Sequence, residues 1–128
     1  MKKNIKKLTP SQIKFLKKKF TPIKFNTDFH LVYEQHIPNT GIVLLKGEIN
    51  LVRKKKTESI VLPGIMLGVH ELLNNIPAGH GCQVQGNTEL IMLHKSDILE
   101  ALTDEESSLY KIIKEQVSLR KTFIYLSA

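Results

Sequence analysis

Residues 42–52 read IVLLKGEINLV, and the change of pattern inside that stretch decides the fold. Ile42 to Leu45 is apolar throughout. After Lys46-Gly47, Ile49 and Leu51 alternate with Glu48 and Asn50, and a period of two buries one face of a strand. Lys46-Gly47 is then the turn that joins two strands. The same alternation returns where Cys82 and Val84 face one way and Gln83 and Gln85 the other. Strands are predicted over 22–26, 29–35, 41–46, 48–54, 58–62, 81–85 and 89–94, with a second turn at Gly86-Asn87. Many short strands at such spacing point to a sandwich or jelly roll.

Helices flank this β region. Thr9 and Gln12 stand at capping-box spacing, and Pro10 takes the first helical position, where its missing N–H costs nothing. Ile13, Leu16 and Phe20 share one stripe, Lys14, Lys17, Lys18 and Lys19 fill the rest, and Thr21-Pro22 ends the helix. Between Gly68 and Gly79 the segment VHELLNNIPA reads as a short helix near 69–75, ended by Pro77. Near the C-terminus, Ser96 is positioned to cap 97–102, and Thr103 with Glu106 forms another capping box. Leu109, Ile112, Ile113, Val117, Arg120, Phe123 and Ile124 then line one side of a helix of about twenty residues. That stripe is longer than a small β-roll needs to cover, so Leu109, Ile112, Ile113, Val117, Phe123 and Ile124 are expected to form a homodimer seam; the competing expectation is a helix folded back on its own roll.

The 128 residues suffice for one domain with one hydrophobic core. No apolar run is long enough to span a bilayer, and MKKNIKK is not followed by the apolar stretch of a secretory signal. The lone Cys82 cannot form an internal disulfide, which suits a reducing, cytoplasmic setting. Nine lysines and no acid lie in residues 1–25, whereas the other 103 residues hold 10 basic and 12 acidic side chains. The net charge of +7 therefore belongs to the N-terminal segment. Residues 1–8 are taken as a basic arm and 9–128 as the domain. Such a segment either solvates the protein or attracts nucleic acid, anionic lipid or an acidic partner.

The order helix, β-roll, short inserted helix, two terminal helices resembles the cyclic-nucleotide-binding domain. That family includes catabolite activator proteins, protein kinase A regulatory subunits and cyclic-nucleotide-gated channels. IVLLKGEINLV (42–52) matches its strand, turn glycine and following strand; Gly64-Ile65-Met66-Leu67-Gly68 matches the approach to its phosphate-binding cassette. Pro77 follows Gly68 at the family's spacing, and ELIMLHKSDILEAL (89–102) matches its last strand and next helix. The resemblance covers about residues 9–125. It implies a mainly β double-stranded β-helix (a jelly roll) with an N-terminal helix, a cassette helix and two C-terminal helices.

The departures fall on the ligand site. The resemblance implies a glutamate for the ribose hydroxyl where this chain has Val69, and a phosphate-binding arginine where it has Ala78; Gly79 follows. A glycine in the loop after the second strand is replaced by Gln35 or His36. Losing a bidentate arginine removes roughly 1.5–3 kcal/mol, or about ten- to a hundred-fold in affinity. The degenerate cassette is then Gly68, Val69, His70, Glu71, Ala78, Gly79 and His80. At most a weak cyclic nucleotide is expected there, held by the amides near Val69, His70 and Glu71. Changing Val69→Glu together with Ala78→Arg is expected to restore affinity.

The five histidines contain no His-x-His pair, so although His70, Glu71 and His80 flank the cassette no metal is expected; His70 and His80 are expected to be polar rim residues, with His80 able to meet a ligand when protonated. Cys82, on the apolar side of its strand, is expected to be an inert thiol. Arg53-Lys54-Lys55-Lys56 is expected to tip a hairpin. Neither a nucleophile elbow nor a phosphate loop occurs, so the expected role is a non-enzymatic regulatory or interaction module with a protein partner. The rival readings are a small-ligand sensor using atypical pocket residues, and a nucleic-acid or membrane-surface binder working through the basic segment. Nucleic acid is the less expected partner, because neither aromatic platforms nor a winged helix accompany the lysines.

Overall fold

A computed structural model describes residues 7–119. The helix α1 spans Pro10–Lys19, and its start is the capping box read from the sequence. The Thr9 hydroxyl accepts from the Gln12 amide at 3.1 Å, and the Gln12 side-chain oxygen accepts from the Thr9 amide at 2.9 Å. Eight strands follow: β1 (Ile23–Phe25), β2 (Phe29–Val32), β3 (Thr40–Lys46), β4 (Ile49–Arg53), β5 (Lys56–Val61), β6 (Met66–Leu67), β7 (Gly81–Val84) and β8 (Thr88–His94). The short helix α2 (Val69–Asn74) interrupts them after β6, and α3 (Lys95–Ala101) and α4 (Ser108–Leu119) end the order.

The strands form two four-stranded antiparallel sheets, ordered β1-β8-β3-β6 and β2-β7-β4-β5. Lys46-Gly47 does not close a hairpin, because β3 and β4 belong to different sheets. The turn carries the chain across the roll, and Gly47 makes it with φ +93°. A Cβ at Gly47 would lie 2.4 Å from the Thr88 hydroxyl, so glycine is required twice over. Gly86-Asn87 crosses between the sheets in the same way. The true hairpin is β4–β5, and Lys54 and Lys55 turn it with φ +54° and +67°. The basic run 53–56 is thus a hairpin tip, as expected.

The hydrophobic residues divide into two cores. Ile42, Leu44, Ile49, Leu51, Val61, Cys82, Val84 and Leu90 fill the space between the sheets. Val43, Ile91 and Leu93 face the other way and pack with Leu16, Leu72, Ile98, Leu109, Ile112 and Ile113 from the helices. β3 is therefore covered on both faces, which explains why residues 42–45 are apolar without alternation. Each such side chain contributes about 1.5–3 kcal/mol on full burial.

Several expectations are corrected. Leu8, assigned to the basic arm, is buried and its amide donates to the Gly64 carbonyl at 2.8 Å. β2 stops at Val32 and β5 starts at Lys56. Ser96 lies inside α3, whose N-cap is His94, without a side-chain capping bond. Thr103 is not an N-cap: its hydroxyl donates to the Glu100 carbonyl at 2.7 Å and closes the end of α3. Ser107 caps α4 instead, accepting from the Tyr110 amide at 2.9 Å. Threonine serves either end of a helix, and the side on which it bonds back is set by the turn around it.

The dimer seam also changes. Leu109, Ile112 and Ile113 are nearly inaccessible within their own domain, and Val117 packs against the same core. Leu109, Ile112 and Ile113 are thus spent on the fold itself, whereas Val117 is only partly buried. Phe123 and Ile124 lie outside the described residues. Among the described residues, no helix is long and apolar enough to cross a membrane.

Candidate functional site

Gly64 and Gly68 bracket β6, with φ +96° and +85°, and Gly68 is the N-cap of α2. A Cβ on Gly68 would meet the Thr40 carbonyl oxygen at 3.1 Å, so the strand-to-helix corner is built for a glycine. The first intrahelical bond runs from the Leu72 amide to the Gly68 carbonyl at 2.9 Å. It leaves the amides of Val69, His70 and Glu71 outside the ladder, as helix starts do. Asn75 ends α2 in the left-handed conformation, and the Ile76 amide returns to the Glu71 carbonyl at 3.0 Å.

Beyond Pro77, the backbone of Ala78 is clamped to the loop after β2. The Gln35 amide donates to the Ala78 carbonyl at 2.7 Å, and the Ala78 amide to the His36 carbonyl at 2.9 Å. Gln35 carries φ +72°. Of the two positions left open by the sequence, Gln35 is thus the one that adopts a glycine-like conformation. A buried methyl stands at Ala78, where the resemblance places an arginine. Beside it, a Cβ at Gly79 would meet nothing within 4 Å.

The remaining cassette residues are not used as the resemblance implies. Val69 turns into the helical core: its Cγ2 would lie 2.6 Å from a Cβ on Gly41, with Ile98 close by. His70 is bonded within its own helix, where Asn74 Nδ2 donates to its carbonyl at 2.8 Å. Glu71, next in sequence, is the cassette acid felt by Cys82. Burial, and then the Glu71 charge, push the Cys82 thiol up to about 12. Cys82 is therefore a protonated core group, un-nucleophilic at neutral pH.

A cluster that sequence reasoning missed stands at His80. Its Nε2 lies 2.8 Å from Glu58 Oε1, and the Arg53 guanidinium donates to the same oxygen at 3.0 and 3.3 Å. The hydrogen bond from His80, then that from Arg53, hold the Glu58 carboxyl below its usual range. Glu58 reaches both because the β4–β5 register shifts between Leu51 and Val52. Such an irregularity has no signature in this sequence. Nearby, Tyr33 stacks on His30 at 4.3 Å and leans on His36 at 5.9 Å. Among the described residues, no group of three or more His, Cys, Asp or Glu side chains is placed to hold a metal.

Glu71 contributes negative charge close to Cys82, Ala78 contributes no charge, and Arg53 and His80 are already engaged with Glu58.

No protein-family model and no curated protein matches this sequence. Solved structures do match. One, from work on a cyclic-GMP-dependent signalling pathway that regulates bacterial phytopathogenesis, superposes with a TM-score of 0.70 at 17% identity over 85% of this chain and 89% of that one. A cyclic nucleotide-binding domain from Methylobacillus flagellatus gives 0.69 at 18%, over 90% and 69%. The Thermus thermophilus catabolite activator protein gives 0.66 at 17%, over 87% and 54% of its length. At such identities the likeness establishes the fold.

Proposed function

With the fold of the cyclic-nucleotide-binding domains as its frame, we propose that this chain is a non-enzymatic regulatory or interaction module of the cytoplasm whose pocket does not hold cyclic AMP or cyclic GMP tightly. The observation that carries the reading is Ala78, a buried methyl fixed by two backbone hydrogen bonds where a phosphate-binding cation would stand. Val69 adds to it, since its side chain is committed to Gly41 and Ile98 and offers nothing to a ribose. The protonated, buried Cys82 removes the chain's one thiol as a nucleophile.

Calorimetric titration with cyclic AMP and cyclic GMP tests the reading. No binding is expected at ligand concentrations below about 100 µM, given the missing charge-assisted pair. A low-micromolar dissociation constant for either nucleotide overturns it.

A further inference from the structure

We propose that the outer face of α1, with the basic residues on either side of it, adsorbs the domain to an anionic lipid surface. The charge is concentrated there: residues 1–25 hold nine of the chain's 19 basic side chains and no acid. The structure shows how they are presented. Leu16 is fully buried, and Ile13, Phe15 and Phe20 pack on the helical core. With that side of α1 pinned down, Lys14, Lys17 and Lys18 are exposed on the other, and Lys19, exposed as well, lies over the Phe20 ring at 5.8 Å. Lys7 before the helix and Lys24 after it are exposed as well. Lys14, Lys17 and Lys18 follow the i, i+3, i+4 spacing that makes one stripe. Gln12 Nε2 of α1 donates to Glu115 of α4 at 3.3 Å, and α4 carries the exposed Lys111 and Lys114.

The chemistry of the face selects among anionic partners. All its cations are lysines, which are hydrated point charges; bidentate phosphate or base recognition favours arginine, and residues 1–25 contain none. No exposed aromatic ring stands on α1 to stack a base, since Phe15 and Phe20 are turned towards the core. A tight protein partner would seek a desolvated apolar anchor amid the charges, and the apolar side of α1 is already spent on the fold. What remains is an array of exposed, flexible charges, suited to a diffuse sheet of negative headgroups. Because the helix cannot turn its apolar face outward, contact is electrostatic and fails at high salt.

Co-sedimentation of the full chain with vesicles tests this. Binding is expected to phosphatidylcholine vesicles doped with phosphatidylglycerol, not to phosphatidylcholine alone, and raised salt is expected to abolish it. The triple variant Lys14→Gln, Lys17→Gln, Lys18→Gln should lower the partition coefficient about a hundred-fold, as three lysines each weaken attraction by about fivefold. The corresponding triple change to arginine should retain binding. Circular dichroism confirms that both variants fold, as exposed positions allow. The proposal is overturned if the doped vesicles are not bound, if pure phosphatidylcholine binds equally, or if the glutamine variant binds like the parent. Tighter binding to mixed-sequence duplex DNA than to the doped vesicles at the same salt also overturns it.

Discussion

The packing of Val69 on Gly41 decides whether the cassette can recover a ribose contact, and a double-mutant cycle measures it. Val69→Ala removes two methyl-sized groups at about 0.8 kcal/mol each and leaves a partial void, for a cost of about 2 kcal/mol. Gly41→Ala acts by crowding. The new Cβ would stand 2.6 Å from Val69 Cγ2, 3.6 Å from Ile98 Cδ1 and 3.7 Å from the Leu67 carbonyl oxygen. Valine is stiff about χ1 and cannot swing aside cheaply. Overpacking costs about 1–3 kcal/mol, partly offset by about 0.4–1 kcal/mol from the restricted unfolded chain, so about 1.5 kcal/mol is expected. Independent effects would add to about 3.5 kcal/mol. In the double variant the alanine methyl enters the space vacated by Cγ2, and the loss should be only about 2 kcal/mol, a coupling of about 1.5 kcal/mol. Urea unfolding at constant m reads all four proteins. If the two effects add to within about 0.5 kcal/mol, or Gly41→Ala proves neutral, Val69 does not face the helical core and the reasoning fails. The same geometry argues against Val69→Glu assisting nucleotide binding, because it would bury a carboxylate between Gly41 and Ile98.

Ala78→Arg alone, beside the open Gly79 position, should raise cyclic nucleotide affinity about ten- to a hundred-fold by calorimetry; an unchanged affinity in a folded variant would refute the assignment of that position. Cys82 should resist thiol-reactive reagents at pH 8 until denaturant is added, and rapid labelling of the native protein would contradict its burial. Because burial raises its pKa from an ordinary 9.0 to about 12, the unfolded chain releases the thiol proton first. Stability should therefore fall as pH rises between those two values, and Cys82→Ala should flatten that part of the profile.

The amino-acid pattern alone pointed to a sandwich or jelly roll, the capped N-terminal helix and the place of the cassette helix. Each rests on short-range rules: alternation at 49–52 and 82–85, Thr9 answered by Gln12, and glycines at 64 and 68 where φ is positive. The basic tip at 53–56 and the inert thiol were legible for the same reason. Tertiary structure decided what those rules cannot see. Two capping motifs within a few residues, at 103 and 107, compete locally, and only the packing of α3 against α4 settles which one starts a helix. Whether the stripe on α4 faces a second copy or its own roll depends on what covers Leu109, Ile112 and Ile113, a question of three-dimensional neighbours. The Arg53–Glu58–His80 cluster rests on a register shift between β4 and β5, and Val69 turns away from the ligand side because Gly41, 28 positions earlier, leaves room for it. Local conformation follows from nearby residues, whereas the direction in which a side chain is buried is fixed by contacts between segments far apart in sequence.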